Sequence, residues 1–121
     1  MLTVGVDIIS ISRIASATNR WGDRFLKRIY TSHELSFCGG RADRLASRFA
    51  AKEAVMKALG TGIRGVGWKE VEVVRKLGHA PSIQLHGRAD NLARAVGVTQ
   101  LALSLAHSHD YAVASVVGDR Q

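Results

Sequence analysis

Between residues 42 and 59 the sequence ADRLASRFAAKEAVMKAL repeats its larger apolar residues, Leu45, Phe49, Met56 and Leu59, at spacings of four, seven and three. Alanines fill the seam between them and Gly60 follows directly, so the period predicts one long helix closed by a glycine cap. A chain of 121 residues with this helix has room for a single domain, residues 1–121, and no repeat or Ser/Pro-rich linker divides it. The remaining elements are shorter. TVGVDII reads as a strand delivering Asp7 near its C-terminal end, and ISRIASATNRWG and DRFLKRIY carry helical patterns. Thr31 and Glu34 have capping-box spacing ahead of HELSFC, with Gly39 and Gly40 as the stop. After the glycine-rich stretch GTGIRGVGWK, the runs KEVEVVRK and SIQLHG alternate as a hairpin pair around Gly78 and Pro81. RADNLARAVG is helical, and QLALSLAHS and YAVASVVG are two strands joined by a tight turn at His109 and Asp110. The order predicts an α+β fold in which a mainly antiparallel five-stranded sheet packs against the long helix, with shorter helices around it.

Composition narrows the class. With 46% hydrophobic and 22% charged residues and one proline, the chain is globular, not disordered. At this length it buries a core without help from disulfides or a structural metal. Cys38 is the only cysteine, which excludes an internal disulfide and a cysteine-based zinc site. No apolar run has the length of a membrane span and the N-terminus lacks a signal-peptide pattern, so a cytoplasmic protein is expected. The net charge of +7 calls for an anionic partner, and +6 of it falls between residues 13 and 57. Arg13, Arg20, Arg24, Lys27 and Arg28 have helical spacings that favour one broad face. That face is either merely solvated or the docking surface of an acidic protein.

Three constellations carry chemistry. Glu53 and Lys57 lie one turn apart on the long helix while Lys52 points elsewhere; on spacing alone they form a surface ion pair worth about 0.3–0.5 kcal/mol. Their setting among Phe49, Ala50, Ala54 and Ala58 places charge along the border of an apolar face, where a charge usually has a partner. Asp7 stands alone among apolar residues. It is a helix cap, an outward residue of an edge strand, or a ligand for a hard cation such as Mg²⁺, which takes one or two carboxylates with phosphate oxygens and water. Asp7 and Glu53 make such a pair if the first strand lies beside the long helix. His107 and His109 sit at a strand end without a cysteine cluster or HExxH, which argues against a transition-metal site and leaves an imidazole for a phosphate or a decorated turn. Gly60-Thr61-Gly62 follows a helix instead of opening one, so Gly60 is first a cap and only second a ligand contact.

VGVDIISISRI at 4–14 and RFAAKEAVMKALGTG at 48–62 together resemble the two signature motifs of the holo-acyl-carrier-protein synthase family, the short bacterial 4′-phosphopantetheinyl transferases. The resemblance continues through FLKRIYTSHEL at 25–35, the turn from Gly78 to Pro81, and SLAHSHDYAVASVV at 104–117. It implies Mg²⁺-dependent transfer of the phosphopantetheine arm of coenzyme A to a serine of apo-acyl carrier protein, releasing adenosine 3′,5′-bisphosphate and supporting fatty acid biosynthesis. By the same resemblance Asp7 and Glu53 bind the metal and are catalytic together with Lys57, which contacts the phosphates. Arg48, Lys57, Gly60, Thr61, Gly62 and His107 match positions around coenzyme A, and Arg13, Arg24 and Arg28 match those that meet the carrier protein. The resemblance also implies a homotrimer with active sites shared between subunits, and no nucleic-acid partner. The sequence departs from the family at Ala106, where a hydroxyl residue is common, and in the extra imidazole of His109.

Two rivals come from other classes. The high isoelectric point alone favours a small RNA-binding α+β module, but aromatic residues make up 6% and no strand carries an RNP-like motif to stack bases. A catalytically silent interaction domain would leave Asp7, Glu53 and Lys57 without a common purpose.

Overall fold

A computed structural model of the chain describes residues 1–61 and 65–121. Its order is β1 (Leu2–Ser10), α1 (Ile11–Trp21), α2 (Asp23–Ile29), α3 (Ser32–Cys38), α4 (Ala42–Leu59), a 3-10 turn (Trp68–Glu70), β2 (Val71–Val74), β3 (Ser82–Leu85), α5 (Gly87–Ala95), β4 (Val98–His107) and β5 (Tyr111–Arg120). The α+β class holds. The strands, however, form two antiparallel sheets instead of one: a three-stranded sheet ordered β1-β5-β4 and a separate hairpin β2-β3. Alternation within each strand was readable from sequence. Whether strand edges join was not, because ladder bonds are sequence-independent and edge pairing is decided by packing.

The long helix is built on its alanines. Ala46, Ala50, Ala54 and Ala58 recur every four residues and are all buried, forming a ridge small enough to approach the sheet, where Ala112, Ala114 and Val116 of β5 are buried as well. β1 comes closest. A Cβ on Gly5 would collide with the Ala54 carbonyl oxygen, so only glycine permits this crossing. One turn further on, the Thr3 hydroxyl donates to the Ala58 carbonyl at 2.6 Å. Thr3, Gly5, Asp7 and Ile9 thus share the helix-facing side of β1, whereas Leu2, Val4, Val6 and Ile8 on the other side are exposed. The opposite flank of α4 packs Leu45, Val55, Met56 and Leu59 into the same core as Val71 and Val73 of β2.

The local signals of the sequence take the expected form at the ends. Thr31 and Glu34 make a complete capping box at α3. Gly60 closes α4 in the left-handed region at φ 79°, its N–H bonded to Lys57 and Met56 carbonyls.

Candidate active site

Close contact between β1 and α4 brings together three residues 46 and 50 positions apart in sequence. The Asp7 side chain, only 11% exposed, accepts from Lys57 Nζ at 3.1 Å, and the same ammonium donates to the Val6 carbonyl at 2.9 Å. Glu53 lies one turn before Lys57 and is close enough to Asp7 for the two carboxyls to perturb one another. Lys57 therefore pairs with the strand carboxylate, and the surface pair expected from i,i+4 spacing is not what the helix uses. Asp7 is not the cap of α1 either: Ser10 occupies that position. Burial pushes the Glu53 carboxyl above its ordinary value, the neighbouring Asp7 carboxylate pushes it further, and Lys57 and Arg13 oppose. Two carboxylates crowd one another here, with one ammonium seated on Asp7.

Such a pair suits a hard dication. Among the described residues no group of three or more His, Cys, Asp or Glu gathers, so the donor set is these two carboxylates. Mg²⁺ binds through one or two carboxylates and completes its shell with phosphate oxygens and water, so the pair fits that ion and not a transition metal.

A second cluster lies at the other end of α4. Arg48 is 5% exposed and its Nη2 has no hydrogen-bond partner. The guanidinium stacks over Phe37 at 4.4 Å, and those of Arg44 and Arg75 approach the same ring at 4.7 and 5.9 Å. Burial is what lowers the Arg48 pKa; Cys38 and Glu34 oppose it, and repulsion from Arg75 and Arg44 works with it. With His107 and Pro81 these residues line a cavity of about 510 Å³. His107 Nε2 stands 3.8 Å from Asp43, whose carboxyl is held low chiefly by its hydrogen bond from Arg41. A buried guanidinium with an unpartnered N–H among like charges has the chemistry that suits an anion.

The residues singled out from sequence are thus divided. Asp7, Glu53 and Lys57 come together; Arg48 and His107 share the cavity; nine residues of helix, about 14 Å, separate Arg48 from Lys57. Gly60 and Thr61 stand at the Lys57 end, Thr61 N–H closing the helix onto Met56, while Gly62 lies outside the described residues. Arg24 and Arg28 border a groove with Trp21 and Phe25, and Arg13 is exposed on α1 near Glu53. His109 sits in the turn after β4, and the exposed Ala106 beside it.

Two features escaped the sequence reading. Arg44, Arg75 and Phe37 complete the anion cavity; only the i,i+4 spacing of Arg44 and Arg48 hinted at it. Lys52, 0% exposed, is fully paired: its ammonium meets Glu34 Oε1 at 2.7 Å, the Val71 carbonyl at 2.6 Å and the Trp68 carbonyl at 3.1 Å. Its visible signal was a lysine between two alanine-rich apolar turns. Glu34 is the capping-box residue, and its second oxygen accepts from Val73 N at 2.8 Å.

The family model of the 4′-phosphopantetheinyl transferase superfamily matches residues 3–116, and the chain belongs to that superfamily. It is 48% identical over 121 residues to the holo-[acyl-carrier-protein] synthase of Koribacter versatilis, with 97% of each chain covered. Among solved structures, the holo-[acyl-carrier-protein] synthase of Neisseria meningitidis is similar at a TM-score of 0.88 and 32% identity over 98% of each chain. That of Helicobacter pylori in complex with coenzyme A gives 0.86 and 30%, covering 96% of this chain and 99% of that one.

Proposed function

We propose that the chain transfers the 4′-phosphopantetheine arm of coenzyme A to a serine of apo-acyl carrier protein, giving holo-acyl carrier protein and adenosine 3′,5′-bisphosphate. The observation that carries this reading is the junction of Asp7, Glu53 and Lys57 on adjoining elements. Displacement at a pyrophosphate phosphorus needs charge neutralisation and alignment more than covalent help. Asp7 and Glu53 would hold Mg²⁺, which when bound would supply positive charge to the phosphates. Lys57 adds a second positive charge on the same oxygens once it turns from Asp7 to the substrate. Gly60 and Thr61 lie beside it as further contacts for coenzyme A, and Gly62, next in the sequence, is assigned the same role.

Arg48 and His107 take the nucleotide end of coenzyme A in the arginine-lined cavity, where an anion would satisfy the buried Nη2 of Arg48. None of Asp7, Glu53, Lys57, Gly60 or Thr61 lines that cavity. This division supports a homotrimer in which one subunit's cavity serves its neighbour's carboxylates. The outer face of the three-stranded sheet supports it too: Val4, Val6, Ile8 and Val117 are exposed there without cover. Arg13, Arg24 and Arg28 meet the acidic carrier protein, their exposed guanidiniums flanking the groove at Trp21 and Phe25. No helix among the described residues is long and apolar enough to cross a membrane; we place the activity in the cytoplasm, where the free Cys38 stays reduced.

Intact-mass spectrometry tests the reading directly. Incubation with apo-acyl carrier protein, coenzyme A and Mg²⁺ is expected to add one phosphopantetheine arm, and EDTA to prevent it. No mass gain with several carrier proteins, from folded enzyme, would overturn it.

A further inference from the structure

Lys57 is already engaged in the ligand-free chain. Its ammonium sits on Asp7 Oδ1 at 3.1 Å and on the Val6 carbonyl at 2.9 Å, two acceptors on successive residues of one strand. Among the described residues β1 pairs only with β5, so the Val6 carbonyl faces the unpaired edge and the lysine is the donor that satisfies it. The lysine side chain is 54% exposed while the carboxylate it covers is 11% exposed, so a solvent-facing cation closes a nearly buried anion. Glu53 borders the same carboxylate and brings a second negative charge. One side chain thus supplies, from its own helix, the positive charge that this pair requires.

Resting on the Mg²⁺ reading above, we propose that Lys57 is a placeholder for the divalent cation, released only when phosphate oxygens arrive to receive its ammonium. Asp7 cannot give its full charge to the lysine and to a dication together, and the two cations repel at this range. Phosphate oxygens offer the ammonium an equivalent partner outside the carboxylate pair, and its exposed stem lets it move there. The protein without substrate therefore binds divalent ions weakly. Metal and coenzyme A enter together, and each raises the affinity for the other by the same factor.

Mn²⁺ alone is the probe, titrated by electron paramagnetic resonance into the wild type, Lys57→Gln and Lys57→Met, then again with saturating coenzyme A. Lys57→Gln keeps a donor for the Val6 carbonyl and removes the charge. Without coenzyme A, both variants are expected to bind Mn²⁺ at least tenfold more tightly than the wild type. Coenzyme A should tighten Mn²⁺ at least tenfold in the wild type and by less in either variant. Equal or weaker Mn²⁺ binding by the variants without coenzyme A overturns the placeholder role while leaving the metal reading intact. A wild type that holds no Mn²⁺ even with coenzyme A, or an Asp7→Asn variant that holds it undiminished, overturns the metal reading and the placeholder with it.

Discussion

At the scale of single residues, the physics of the site is a contest between burial and charge. Glu53 is held above its ordinary pKa by burial first and by Asp7 second. A carboxyl raised by folding binds its proton more tightly in the native state than in the unfolded chain. Its contribution to stability is therefore present at low pH and is lost as pH rises from the ordinary glutamate range through the raised value. Glu53→Gln removes that loss. Thermal melts should show the variant at pH 7 no less stable than the wild type, with the difference vanishing by about pH 3, well below the ordinary glutamate value, where Glu53 is protonated in both the folded and the unfolded wild type. Turnover should nevertheless fall by about 10²-fold or more, because one charge that holds the metal is gone. Near-normal turnover at saturating Mg²⁺ would remove Glu53 from the site. Lys52, its sequence neighbour, is subject to the same contest with the opposite charge. Burial lowers its pKa, and the Glu34 carboxylate opposes that shift. Asp7, Glu53 and Lys57 were legible as candidates because charge on an apolar border is conspicuous; which carboxylate the lysine would choose was not, since i,i+4 spacing offers Glu53 and the fold offers Asp7.

Between elements, the decisive contact is that of β1 with α4. Gly5 stands against the Ala54 carbonyl, and every side chain larger than hydrogen must push the strand away. Gly5→Ala should cost about 1–3 kcal/mol or more in chemical denaturation, as overpacking does. It should also reduce turnover beyond what the lost stability explains, because Asp7 and Glu53 move apart together with the two backbones. The second junction is the Glu34–Lys52 pair, which ties α3, α4 and the start of β2. Removing one partner leaves an uncompensated buried charge, so Lys52→Met alone should cost about 3–5 kcal/mol. Glu34→Gln combined with Lys52→Met should recover a substantial part of that loss, which a double-mutant cycle measures. The elements themselves were readable. α4 runs from Ala42 to Leu59 as its period requires, and the Thr31–Glu34 box and the Gly60 cap are where their spacing puts them. The division of the strands into two sheets was not readable, nor was the use of Glu34 twice, once in its cap and once as the counter-ion of a lysine 18 positions away.

For the whole molecule, the exposed outer face of the sheet and the separation of the two clusters bear on one proposal. Val4 lies opposite Val117, which lies opposite Ala102, giving an uncovered apolar row across three strands. Val4→Glu places a charge in that row. On the trimer proposal, light scattering should fall from three times the 13.1 kDa chain mass towards one, and transfer activity should fall with it, since no single chain lines the Arg48 cavity with Glu53. An unchanged mass and rate would separate the sheet face from the assembly. What the sequence determined by itself was local and periodic: the long alanine-seamed helix, the alternating strands, the caps, the basic stretch and the short list of charged residues in apolar company. These follow from interactions within a few residues, or from composition, and need no knowledge of distant contacts. The tertiary structure alone decided that Asp7 would claim Lys57, that Lys52 would be buried on Glu34, and that Arg44, Arg48 and Arg75 would crowd one phenylalanine ring. Each depends on the crossing of elements remote in sequence, and a crossing is set by the shape of packed surfaces, Gly5 against Ala54 above all.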